Sequence, residues 1–103
     1  MKKRLYAMYD SVGEFYSNPL VYKTDADAQR SFIQAGLEVD QIKATPEDFS
    51  MHFVGFFDDN AGELLPTESK VIMSGTELKT RLKSIEKLQD NAESDLKRFK
   101  KGN

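Results

Sequence analysis

Residues 53–62 read FVGFFDDNAG, so Asp58, Asp59 and Asn60 line up three oxygen-bearing side chains behind three phenylalanines. Two neighbouring carboxylates can hold Mg²⁺ and activate water on a phosphodiester, which would make the chain a nuclease. Adjacent strand residues point to opposite faces, however, so Asp58 and Asp59 converge only if the backbone bends there. An EF-hand calcium loop needs ligands at alternate positions and a closing bidentate glutamate, and the spacing here does not supply them. The same residue types cap and turn the backbone between strands, so a hairpin tip is the expected reading.

Little else in the chain has the pattern of a reaction centre. His52 is the sole histidine, with apolar neighbours and no adjacent nucleophile, and it is expected to be a strand residue whose ring is satisfied or exposed. Cysteine is absent, which excludes disulfides, thiolate zinc sites and a cysteine nucleophile. Gly13, Gly36, Gly55, Gly62 and Gly75 form neither a Walker loop nor a dinucleotide fingerprint. No catalytic residue, metal or cofactor is therefore expected, and the chain reads as a non-enzyme.

Binding chemistry is better represented. Tyr6, Tyr16 and Tyr22 stand close in sequence to Lys2, Lys3 and Arg4, and rings beside cations can stack bases while neutralising phosphates. The net charge of −2 conceals a segregated distribution. Residues 1–4 carry three basic groups, residues 5–73 carry four basic against twelve acidic, and residues 74–103 carry eight basic against five acidic. Basic ends around an acidic middle suit contact with a polyanion. Lys97, Arg98, Lys100 and Lys101 at the far end join the first three as candidate phosphate contacts.

The elements that must position these residues follow from periodicity and punctuation. A chain of 103 residues with 39% hydrophobic and 31% charged residues folds as one small globular domain. RLYAMYD is apolar on both alternating faces, as a central strand is. Turn formers around Gly13 and Asn18-Pro19 lead into a short strand, LVYK, at an edge that tolerates proline. Thr24 caps a helix to about Leu37, and Thr45-Pro46-Glu47-Asp48 has the signature of a single helical turn. MHFVGFF is a third strand, and ELLP with KVIM supplies a fourth. Phe32, Phe53 and some of Leu5, Ala7, Tyr9 and Phe57 are expected in the core.

The expected architecture is α+β, a ββαββα domain with a four-stranded antiparallel sheet in the order 2-1-3-4. Residues 1–73 form the core, and residues 74–103 form a long amphipathic C-terminal helix opened by the capping box Ser74 to Glu77. At 1.5 Å per residue that helix is about 40 Å long, against a radius of gyration near 13 Å for a domain of this size, so part of it must project or find a partner. Leu78, Leu82, Ile85, Gln89, Ala92, Leu96 and Phe99 follow heptad spacing, which predicts a coiled-coil seam and a homo-oligomer, a dimer at least. No apolar run is long enough to span a membrane.

The order of these segments resembles a known family. KKRLYAMYD, the Asn-Pro hairpin from Tyr16 to Tyr22, DADAQRSF and TPEDFSMHFVGFFDDNAGEL resemble the small nonstructural protein of gokushoviruses, the microviruses with circular single-stranded DNA genomes. The matching positions are Tyr9-Asp10, Pro19-Leu20, Ala28 to Phe32, Pro46 to Phe49 and Gly55 to Asp59. They cover about the first 65 residues, and the basic tail is longer than the family pattern. The resemblance implies a non-catalytic protein that binds single-stranded DNA in the host bacterial cytoplasm during the switch to genome synthesis. The rival reading from the residues is an interaction module whose C-terminal helix recruits replication or capsid proteins.

Overall fold

The computed structural model describes the backbone of residues 1–101 and the side chains of residues 1–93. Strand β1 (Lys2–Asp10) is central, with β2 (Phe15–Tyr16) and β3 (Leu20–Tyr22) on one side and β4 (Phe49–Asp58) then β5 (Glu63–Met73) on the other, all antiparallel. This is the expected order 2-1-3-4, with β3 as the expected second strand and β2, in the segment expected to be a turn, as an additional one separated from it by a break. The break contains Pro19, which has no N–H to give a ladder, and Ser17 bridges it by accepting a hydrogen bond from Met8 N at 2.9 Å. ELLP and KVIM belong to one irregular strand, β5, whose pairing with β4 slips twice.

Helix α1 (Asp25–Glu38) starts where Thr24 accepts the Asp27 N–H on its side-chain oxygen at 3.1 Å. A short helix α2 (Asp40–Ala44) follows, then a single 3-10 turn at Pro46–Asp48. Helix α2 was not expected from sequence: it has no side-chain cap, and only buried Ile42 ties it to the core.

One face of the sheet is closed by helices. Register puts Tyr6 beside Phe53, and Met8 beside Met51 and Met73, on the side where Ala28 and Phe32 of α1 descend. All of these except half-buried Met8 are buried, together with Ile42, Phe49 and Leu78, and each large side chain contributes about 1.5–3 kcal/mol by leaving water. Gly55 sets the parity of β4. Val54 is an extra residue against β1, so Phe56 turns towards the helices and Phe57 away. A Cβ on Gly55 would stand 2.7 Å from the Leu65 carbonyl oxygen, so no other residue fits the FVGFF bulge.

Helix α3 (Gly75–Lys101) opens with Ser74 Oγ accepting the Glu77 N–H at 3.1 Å, the forward half of the expected capping box. Leu78 is fully buried and Leu82 packs against Gly36 of α1. Both were assigned to an intermolecular seam, and here the intramolecular core takes them first. Ile85 is half-buried, and Leu88, Gln89 and Ala92 are exposed. Leu96 and Phe99 of that seam have side chains outside the described residues. The helix carries the molecule to 65 × 31 × 17 Å, consistent with a projecting end.

The start of α3 lies against the Pro46–Asp48 turn because Gly75 has no side chain. A Cβ there would sit 2.4 Å from the Phe49 carbonyl oxygen and 2.5 Å from that of Pro46. Gly75→Ala should therefore lower the unfolding free energy by about 3 kcal/mol in urea titrations. A loss below about 1 kcal/mol would show that α3 does not depend on this close approach.

Candidate nucleic-acid interface

Side chains that pair across the ladder share a face, so the register also defines the side that no helix covers. There Lys3 pairs with Phe57, Leu5 with Val21 and Gly55, Ala7 with His52, and Tyr9 with both Ser50 and Tyr16. From β5, Leu64 pairs with Phe57 and Val71 with His52. Tyr16 is 47% exposed, and Val21, Leu64 and Val71 exceed half, so this face presents rings and aliphatic carbons to solvent.

An aromatic cluster occupies its middle. The Tyr9 and Tyr16 rings lie 4.6 Å apart between centroids, tilted by 38°. His52 sits under them, meeting Tyr16 edge-on at 5.4 Å and Tyr9 at 6.0 Å. Its Nε2 is 2.8 Å from Ser50 Oγ and its Nδ1 2.9 Å from Ser69 Oγ. A neutral imidazole donates from one nitrogen and accepts at the other, and a hydroxyl can play either part, so both ends are satisfied without charge. Burial pushes the His52 pKa down from its ordinary value.

The predicted contact residues divide between the two faces. Lys2 and Lys3 are exposed at the start of β1, and Lys3 stands on the open face with its Nζ 4.0 Å from Asp59. Tyr16 is there too. Arg4 and Tyr6 are not. Tyr6 is fully buried, and its hydroxyl donates to Asp25 Oδ1 at 2.7 Å. Arg4 donates to the same oxygen at 2.9 Å and to the Tyr6 hydroxyl at 2.8 Å, with its guanidinium 4.3 Å from the Phe53 ring centroid. The Tyr6 hydroxyl, with Arg4 behind it, holds the Asp25 carboxyl below the usual carboxylate range. These two residues clamp β1 to the start of α1, leaving neither ring nor cation for a ligand. Tyr22 is likewise a packing residue: half-buried, it lies 5.8 Å from Tyr6, and its hydroxyl bonds Ser31. Lys97, Arg98, Lys100 and Lys101 have side chains outside the described residues.

The carboxylates of the opening motif have local duties. Asp58 Oδ1 accepts from Asn60 N at 3.0 Å and Ala61 N at 3.2 Å, which builds the hairpin turn. Asp59 pairs with the N-terminal amine at 2.9 Å, and that contact lowers its pKa. Among the described residues no group of three His, Asp or Glu side chains is placed to hold a metal.

Sequence reasoning assigned Tyr9 and Phe57 to the core and missed them as residues of the open face, whereas His52 is, as expected, a strand residue whose ring is satisfied. The signal was present in RLYAMYD and MHFVGFF, which are apolar on both faces although the chain supplies helices for only one. Comparison with known proteins gives one family: the model of the phage ORF5 protein matches residues 3–78. No curated protein and no solved structure matches.

Because folding depresses the His52 pKa, the unfolded chain binds the extra proton first as pH falls. Its contribution is thus intact above the unfolded value near 6.5 and is lost as pH drops through that value towards the folded one. Thermal melts of the wild type and of His52→Gln should show the wild type losing more Tm than the variant between about pH 7.5 and pH 5.5. Parallel pH profiles would mean that the imidazole is not held neutral by the fold.

Proposed function

The chain belongs to the phage ORF5 protein family, and from that premise we propose that it is a non-catalytic protein that binds single-stranded DNA. It would act in the host cytoplasm during the passage to single-stranded genome synthesis. The observation that carries this reading is the Tyr9–Tyr16 ring pair on an uncovered sheet face, with Lys3 on that same face. Unpaired bases expose π-surfaces that stack on such rings at about 1–3 kcal/mol each, whatever their sequence, while the backbone is held by cations.

Charge placement supports the same reading. Residues 5–73 are strongly acidic, which disfavours any broad wrapping of DNA around the body. The Debye length is about 8 Å at physiological salt, so a strand responds to the nearest groups more than to the net charge. Lys3 at one end of the open face, Lys2 beside it on the other side of β1, and Lys97, Arg98, Lys100 and Lys101 in the tail sequence are the groups available to neutralise phosphates. Among the described residues no helix is long and apolar enough to cross a membrane.

A second reading is a module that recruits replication or capsid proteins. The exposed aliphatic part of the same face, Val21, Leu64 and Val71, favours it, because branched carbons fit a protein surface better than a strand of bases.

Anisotropy titrations of a labelled oligonucleotide at two salt concentrations decide between them. Tyr16→Ala should weaken binding about tenfold. Replacing Lys2 and Lys3 together by alanine should flatten the slope of log K against log salt by about 1.4, and replacing the four basic tail residues by about 2.8. Tyr6→Phe should leave affinity unchanged while costing about 1 kcal/mol of stability, since its hydroxyl serves Asp25 and Arg4. Absence of binding at low salt would sink the single-strand reading and leave the protein-recruitment one.

A further inference from the structure

The helices leave one corner of the covered face open. Met8 and Asp10 of β1 point to the helix side, and so does Phe15, which pairs with Asp10 from the edge strand β2. Between β2 and the junction of α1 with α2 a cleft of about 260 Å³ remains, lined by Met8, Asp10, Phe15, Val39, Ile42 and Phe49. Phe15 is 59% and Val39 45% exposed, so apolar carbon lies open at its mouth. Its volume falls below the ~300–1,000 Å³ of sites that take a small ligand whole, and it suits one anchoring side chain.

Acids border this cleft. Asp10 lines it, Glu14 adjoins Phe15, and Glu38 and Asp40 flank Val39, the last three with exposed side chains. Among the described residues no cation lines it, and Lys43, next to Ile42, lines a different groove on the side of α3.

We infer that this cleft receives the C-terminal segment of a second copy of the chain, with the partner's Phe99 as the anchor. An apolar slot with an acidic border calls for a ring among cations, and the chain supplies one: residues 97–101 read KRFKK, with two basic residues on each side of a phenylalanine. A chain cannot seat its own tail there. Helix α3 runs unbroken from Gly75 to Lys101, 27 residues or about 40 Å, and leads away from the domain along the 65 Å axis of the molecule. A nucleic acid is a poor occupant, because Asp10, Glu14, Glu38 and Asp40 repel phosphate at short range. Docking of this kind needs no DNA. Where single-strand binding holds as well, the strand and the cleft compete for the same four cations.

A fluorescently labelled peptide with the sequence of residues 94–103 should bind the full chain saturably, more weakly as salt rises. Phe99→Ala in the peptide, or Phe15→Ala in the chain, should weaken binding about tenfold, as loss of one buried anchor does. Glu14→Gln with Asp40→Asn should weaken it severalfold and reduce its salt dependence. Asp10 is left in place because its Oδ1 accepts the Val12 and Gly13 N–H groups and holds the turn. Far-UV circular dichroism reports that each variant is folded. In ¹H–¹⁵N spectra the peptide should shift the amides of Phe15, Val39 and Ile42 and leave those of Val21 and Leu64 on the open face in place. Sedimentation of the full chain should show association that Phe99→Ala removes. Absence of peptide binding, equal affinity of the Phe99→Ala peptide, or shifts confined to the open face would overturn the inference. So would a wild type that keeps the mass of one chain at concentrations above the Kd of the peptide.

Discussion

The Arg4 guanidinium, held over the Phe53 ring by the Tyr6 hydroxyl and the Asp25 carboxylate, decides which side of the sheet is which. Side chains alternate along a strand, so committing Arg4 and Tyr6 to the helix side commits Lys3, Leu5, Ala7 and Tyr9 to the other. A slip of one residue would place Tyr9 in the core and a charged group beneath α1 with no partner. The penalty for a buried unpaired charge is several kcal/mol, larger than the net worth of the ion pair itself, so the clamp specifies register more than it adds stability. Val54 and Gly55 repeat the device in β4, where the bulge brings Phe53 and Phe56, three residues apart, to the same helix-covered face.

Closing one face with α1 and the first turns of α3 leaves the other to protect itself. Ala7 and His52 point to the open side, yet are only 4% and 9% exposed. The rings of Tyr9 and Tyr16 and the hydroxyls of Ser50 and Ser69 enclose His52 instead. A neutral histidine suits that position better than lysine or arginine would, since it fills space like a ring and satisfies both serines without bringing a charge that must be solvated. The open face is consequently an ordered part of the fold, not a loose layer of side chains.

Much of this was legible in the sequence. The strand order followed from the two most apolar runs, the proline placed the edge, and Thr24, Thr45-Pro46 and Ser74 announced the helical starts. The parts that were not legible depend on partners distant in the chain. Arg4 and Tyr6 look like a cation beside a ring, and only Asp25, brought across by the β1–α1 crossing, turns them into a clamp. Leu78 and Leu82 keep heptad spacing equally well whether they meet a second helix or Gly36 of α1. Helix α2 lacked any capping side chain to mark it. The opening aspartates were legible as a turn from their types alone, because Asx capping is a local interaction.

The order of the open face bears on what binding there would require. Tyr9 and Tyr16 already rest against each other and against His52, so their rotamers are fixed by folding and little side-chain entropy remains to be lost when a base arrives. Lys2 and Lys3 differ, being long and exposed, and they lose rotamer freedom when they settle on phosphate. The rings should therefore govern how long a strand stays, and the lysines how fast it arrives and how strongly salt opposes it. On an acidic body such a division would follow from the charges: a few exposed cations would attract a strand at short range, and uncharged rings would hold it where the surrounding carboxylates would otherwise release it.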